Sequence, residues 1–128
     1  MDFRNKEHYP DPTAYEALKQ PWKPLVFICS PFSGNMKGNL EKAKRYMRFG
    51  VEQGVIPFAP HLLYPQILNE NVIRERELGI DFGLVWLTKC HELWVFGDKV
   101  SAGMELEIEK AKDRNMVIRY FTEICEEV

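Results

Sequence analysis

Four short apolar runs alternate with helix-patterned segments along this chain, and that alternation restricts the fold more than any other feature. PLVFICSPF (24–32), VIPFAP (55–60), ELWVFG (92–97) and MVIRYF (116–121) each read as a strand. The first is apolar almost without interruption. A strand with one wet face alternates polar and apolar residues, whereas one covered on both faces does not. Between the runs lie helical patterns. NLEKAKRYMRFGVEQG places Leu40, Ala43, Met47 and Val51 on one stripe and Gly54 at the stop. Residues 61–90 read as a loop leading into one long or two shorter helices, and 102–113 as a further helix. Strands alternating with helices imply an α/β fold with a mainly parallel sheet, and right-handed crossovers place helices on both of its faces.

The 128 residues suit one domain with one core, and 45% hydrophobic residues are enough to fill it. Residues 1–24 are polar and proline-bearing and read as an N-terminal appendage. Asp11 caps a short helix there, and Tyr15, Leu18 and Trp22 are its expected anchors on the body, residues 25–128. A net charge of -2 with no basic stripe argues against a nucleic-acid polymer as partner. No apolar run approaches a membrane span, and the first twelve residues carry no apolar signal core, so the expected compartment is the cytoplasm. Cys29, Cys90 and Cys125 are too dispersed for a zinc knuckle or a disulfide framework and read as reduced thiols.

In a parallel sheet, ligands sit beyond the carboxyl ends of the strands. Two exit loops there are rich in Gly and Ser: CSPFSGN after the first strand and GDKVSAG after the third. Both lead into helix N-termini, which favour anions; each could equally be a tight turn. The second loop runs into MELEIEK, with glutamates at 105, 107 and 109. On a wheel at about 100° per residue, Met104, Ile108 and Ala111 face the sheet while Glu105 and Glu109 face water. Glu107 falls at the border, between Gly103 and Ala111, whose small side chains leave room for an approaching group. Read from periodicity alone, it is either a partly desolvated carboxylate beside the groove or a boundary residue paired with Lys110.

The pattern Ser101, Gly103, Glu107, Ala111 resembles the signature of the nucleoside 2-deoxyribosyltransferase family, and VFICSPFSGN resembles its opening strand and substrate loop. The likeness runs from about residue 25 to 121. It is nearest to the branch of 2'-deoxynucleoside 5'-phosphate N-hydrolases, and the chain also resembles a group of small bacterial and phage relatives. The resemblance implies a flavodoxin/Rossmann-like three-layer sandwich, a deoxynucleoside or deoxynucleotide as substrate, and no cofactor or metal. It also implies a homo-oligomer, dimeric or higher, assembled through the helices beside the pocket, here the long VIRERELGIDFGLVWL helix.

Residue by residue, the resemblance makes Glu107 the nucleophile. It makes Asp81 the helix-borne acid that protonates the departing base, although the stretch from Asp81 to the third strand is about one helical turn longer than in the family; the alternative is a solvated helix residue. Ser101 stands where hydrolases of this kind hold the 5'-phosphate. Gly103 precedes the nucleophile by one turn. Phe27 takes the place of a tyrosine whose hydroxyl assists the nucleophile, so that hydrogen bond is missing. Ser30, Ser33, Gly34 and Asn35 would form the loop around base and phosphate, with Phe32 as the residue to stack a nucleobase. His61, after the second strand, has at most a binding role as a wall of the same cleft. Glycosidic cleavage suits this set. A carboxylate below C1' stabilises an oxocarbenium-like sugar and can trap it as an ester, while a second acid assists the leaving base.

Overall fold

The computed structural model describes residues 22–128. Its strands are β1 (Leu25–Cys29), β2 (Ile56–Phe58), β3 (Glu92–Phe96) and β4 (Val117–Phe121), and its helices are α1 (Met36–Glu52), α2 (Ile73–Leu87) and α3 (Ala102–Asp113). Two single-turn 3₁₀ segments, Pro60–Leu62 and Tyr64–Gln66, occupy the path from β2 to α2. The sheet order is β2-β1-β3-β4 and every pairing is parallel. The chain moves outward to β2, then returns past β1 to β3 and β4. Strand order therefore reverses between β1 and β3, the switch point where doubly wound sheets open a crevice.

The continuous apolarity of the strands has the expected cause. Successive side chains alternate across the pleat, and both faces are covered. Val26, Ile28, Trp94 and Phe96 pack with Tyr46 and Phe49 of α1. Phe27, Cys29, Leu93 and Val95 pack with Leu87, Met104 and Ala111 on the other side, under α2 and α3. Burying side chains of this size contributes roughly 1.5–3 kcal/mol each. The architecture is the α/β three-layer sandwich with a parallel sheet read from the sequence.

Local details differ from the reading. α1 begins at Met36, earlier than its periodicity suggests, because Asn35 caps it by accepting from the Gly38 amide at 3.1 Å. A Cβ on Gly38 would lie 2.4 Å from the Asn35 side-chain nitrogen and displace that cap. The buried stripe of α1 runs through Ala43, Tyr46 and Gly50, while Val51 is exposed. Gly50 sets this phase by resting on Pro57 of β2. The region between β2 and β3 holds a single α-helix after its two 3₁₀ turns.

The C-terminal tail folds back on β4. Residues Phe121 and Glu127 form an antiparallel bridge, and Arg119 makes two 2.7 Å hydrogen bonds to Glu127 while lying over the Trp94 ring. The turn shields the open edge of β4. At the opposite end of the strands, His91 clips β1, its Nδ1 accepting from the Leu25 amide at 2.9 Å. Trp22 is 72% exposed and meets His91 edge-on at 4.8 Å; residues 1–21 of the appendage, with Asp11, Tyr15 and Leu18, lie outside the described residues. Among the described residues no helix is long and apolar enough to cross a membrane, and no cluster of metal-ligating side chains forms.

Candidate active site

At the switch point the exits of β1 and β3 diverge, and a cavity of about 190 Å³ opens on the side of α2 and α3. The β1 exit contributes Ser30, Phe32 and Ser33, and the β3 exit contributes Ser101 through Met104 and then Glu107. His61 and Tyr64 come from the turns after β2. Arg76, Ile80, Gly83 and Leu84 come from one face of α2, and Glu70 from the loop before it.

Ser101 starts α3. Its extended backbone (φ -78°, ψ 169°) and its hydroxyl, which accepts from the Met104 amide at 3.3 Å, make it the N-cap. The capping hydroxyl keeps its proton for a further acceptor. The Glu105 amide is bonded to the Ser101 carbonyl. Among the described residues, this leaves Ala102 and Gly103 as the free backbone donors of the first turn, both at the cavity wall. A Cβ built on Gly103 meets nothing within 4 Å. The space beside it belongs to the cavity.

From that start, the helical period turns Met104 and Ala111 into the core and leaves Glu105 and Glu109 exposed. Glu107 is half-buried and lines the cavity. Burial pushes its carboxyl from the ordinary 4.5 up to about 7, and a hydrogen bond with the Cys29 side chain acts in the opposite sense. Cys29 itself is fully buried. Burial first, then the charge of Glu107 and the hydrogen bond to it, hold its thiol well above the usual range.

The β1 exit is built with equal definition. Ser30 is 2% exposed, and its hydroxyl has no hydrogen-bond partner among the described residues. A buried hydroxyl left in that state costs about 1–3 kcal/mol, an expense a bound ligand can remove. The Ser30 carbonyl is engaged by His61 Nε2 at 2.6 Å. A carbonyl only accepts, so Nε2 carries the ring proton and Nδ1 keeps a lone pair. Burial moves His61 below the ordinary imidazole value, against the Ser30 bond, which favours the protonated ring. Phe32 stacks on this imidazole at 5.2 Å with 18° between the planes, and the pair forms a flat aromatic wall. Asn39 Nδ2 fixes the loop by donating to the carbonyls of Phe32 at 3.0 Å and Ser33 at 3.3 Å.

The structure thus brings Glu107, Ser30, Phe32, Ser33, His61, Ser101 and Gly103 to one cavity. Four other expected site residues lie elsewhere. Phe27 is fully buried in the core under α2, against Phe58. Gly34 and Asn35 serve the turn into α1: Gly34 has φ +94°, open to glycine at no steric cost, and the Asn35 side chain is spent on capping. Asp81 is exposed on α2 and does not line the cavity. The inward face of α2 runs through Arg76, Ile80, Gly83, Leu84 and Leu87, and at 100° per residue Asp81 points well away from it. Conversely, sequence reasoning missed Glu70, Arg76 and the role of Tyr64. The spacing 76, 80, 83, 84 marks a helix face, but the apolar residues on the other side of α2 conceal which face is inward.

Comparison with known proteins supports this architecture. A 2-deoxyribosyltransferase from Bacillus psychrosaccharolyticus superposes with a TM-score of 0.63 at 14% identity, over 77% of this chain and 72% of its own. A 2-desoxiribosyltransferase from Leishmania mexicana gives 0.55 at 13% identity, over 77% of this chain and 64% of its own, so this chain spans just under two thirds of that protein. At such identities the likeness is one of fold. No curated protein matches the sequence. Residues 24–121 match the family described as Domain of unknown function (DUF7768), and the chain belongs to that family.

Proposed function

We propose that this protein cleaves or transfers the N-glycosidic bond of a 2'-deoxynucleoside or its 5'-monophosphate, with Glu107 as nucleophile. The observation that carries this reading is a desolvated carboxylate at a cavity that also holds an unsatisfied buried hydroxyl, Ser30, and two free helix N–H groups. The base stacks along the Phe32–His61 wall. The sugar lies over Glu107. A 5'-phosphate, where present, meets Ser33, the Ser101 hydroxyl and the amides of Ala102 and Gly103. The C1'–N bond breaks with its electron pair leaving on the base, the ionised Glu107 forms an ester at C1', and water or a second base then displaces the ester. Asp81 is turned away within the chain, so Glu70, the second carboxyl at the cavity, takes the part of the acid that protonates the departing base.

The test is incubation with deoxynucleosides and deoxynucleoside 5'-monophosphates, with free base followed by chromatography. Base release that Glu107→Ala abolishes and Glu105→Ala leaves largely intact supports the reading. Equal losses, or no release from any substrate, refute it. A second reading is a nucleotide-binding module that does no chemistry. It is favoured by Phe27, which brings no hydroxyl to the nucleophile, and by the outward Asp81. Binding without base release would support it.

The proposal includes a second copy of the chain. The outward face of α2 exposes Leu78, Phe82 and Val85, with Arg74 and Asp81 on the same face. An antiparallel copy packed there sets Arg74 of one chain near Asp81 of the other.

A further inference from the structure

We propose that Arg76 is a specificity-determining residue: with the start of α3 it binds the 5'-phosphate, so the substrate is the 2'-deoxynucleoside 5'-monophosphate and not the free nucleoside. The proposal rests on the reading of this cavity as a deoxynucleotide site and narrows it. α2 follows β2 and α3 follows β3 in an all-parallel sheet, so both helices begin at the exit end of the strands. Their opening turns both reach the cavity, Arg76 from α2 and Ser101, Ala102 and Gly103 from α3. Ile80, Leu84 and Glu107 line it one or two turns further along. The cavity therefore has a mouth rich in hydrogen-bond donors and a deeper part where Glu107 sits.

Arg76 is available to an anion. It is the one arginine or lysine among the described residues that line the cavity. Glu70 and Glu107 line the same walls, yet none of the ion pairs among the described residues includes Arg76. Glu75, its neighbour in sequence, is engaged with the Asn69 amide at 3.1 Å. His61 gives its Nε2 proton to the Ser30 carbonyl. That leaves the guanidinium as the positive group for a ligand that brings its own negative charge.

The geometry of the donors suits phosphate. The planar fork of an arginine matches two oxygens of one phosphate. The Ala102 and Gly103 amides and the Ser101 hydroxyl add donors from α3, whose dipole favours the same charge. A neutral deoxynucleoside offers the guanidinium no ionic partner. Ser30 is an independent sign that the cavity takes a polar ligand: its hydroxyl is buried at the cavity wall and has no partner among the described residues.

The experiment is calorimetry with the four common 2'-deoxynucleoside 5'-monophosphates and the four matching deoxynucleosides, in a Glu107→Gln background that stops turnover. At least one monophosphate should bind ten-fold or more tightly than its nucleoside. Adding Arg76→Gln should weaken that monophosphate by about 10- to 100-fold, the loss of a charge-assisted contact, and leave nucleoside binding unchanged. Arg76 is exposed, and unchanged circular dichroism with retained nucleoside binding checks the fold. Equal affinity for the two classes, binding of neither, or a loss shared by both overturns the proposal. The binding measurement needs no turnover. The expected pattern in a protein whose wild type releases no base would therefore remove the nucleophile reading and leave the Arg76 contact standing. Base release dependent on Glu107, but equally fast from nucleosides and monophosphates and indifferent to Arg76→Gln, would do the opposite.

Discussion

Replacing Glu107 with glutamine should stabilise the protein, by an amount that grows with pH. Folding moves this carboxyl from an ordinary 4.5 to about 7. Its folded-state value is raised, so the neutral form is the one the fold favours. The stability linked to it is complete below about pH 4.5 and is lost as pH rises through 7. At about 1.4 kcal/mol per pH unit, the ionised form costs about 3 kcal/mol. Glutamine keeps the shape and carries no charge. The variant's advantage should therefore be under about 1 kcal/mol at pH 5 and about 3 kcal/mol at pH 8, the added burden falling on the wild type. Urea unfolding of both proteins across that range, with the m-value checked for constancy, measures the difference. An advantage that is flat with pH, or a glutamine variant less stable at pH 8, would mean that Glu107 is solvated, and the site would lose its central feature. Turnover should follow the opposite course: a nucleophile must be ionised, so base release should rise with pH through about 7.

Further outcomes follow from the same geometry. Gly103→Ala should fold with equal or slightly greater stability, since its methyl group meets no atom and alanine is the better helix former by up to about 1 kcal/mol, yet it should weaken nucleotide binding by filling the cavity; calorimetry and urea unfolding of one preparation separate the effects. Ser30→Ala should be neutral or stabilising by about 1 kcal/mol without ligand, because it removes a buried hydroxyl with no partner among the described residues, and the same variant should bind deoxynucleotide more weakly in calorimetry. Val85→Glu, on the exposed face of α2, should leave the circular dichroism unchanged and shift sedimentation toward the monomer. Unchanged sedimentation of an oligomer would place the interface elsewhere.

How much of the site could be read from residue order depended on the element. For α3 it was nearly all: one face of that helix is apolar, so its period fixes the phase and separates Glu107 from Glu105 and Glu109. For α2 it was little. Ile80 and Leu84 line the cavity and Leu87 the core, while Phe82 packs on Tyr64 and Leu78 and Val85 are exposed, so the pattern carries no phase, and Asp81 could not be assigned a direction. Spacing to a family motif pointed to this helix, on which Asp81 is exposed and does not line the cavity. Phe27 lies away from the cavity for another reason. Strand parity puts it on the same face as Cys29, but only the end of β1 reaches the crevice, and two residues earlier the side chain is walled in by Phe58. Gly34 and Asn35 lie in the expected loop, yet the loop spends them on its turn and cap.

By itself the sequence determined the layers and the parallel sheet with its loops at one end, because each follows from a local period repeated along one element, and it brought Glu107 to the border of its helix's apolar face. It could not determine the character of that carboxylate. The rise to about 7, the unpartnered hydroxyl of Ser30 and the neutral His61 on the Ser30 carbonyl all require β1, α3 and the turns after β2 to meet. Desolvation is the reason: how much water a group loses is set by every element that closes around it, and that closure exists only in the folded protein.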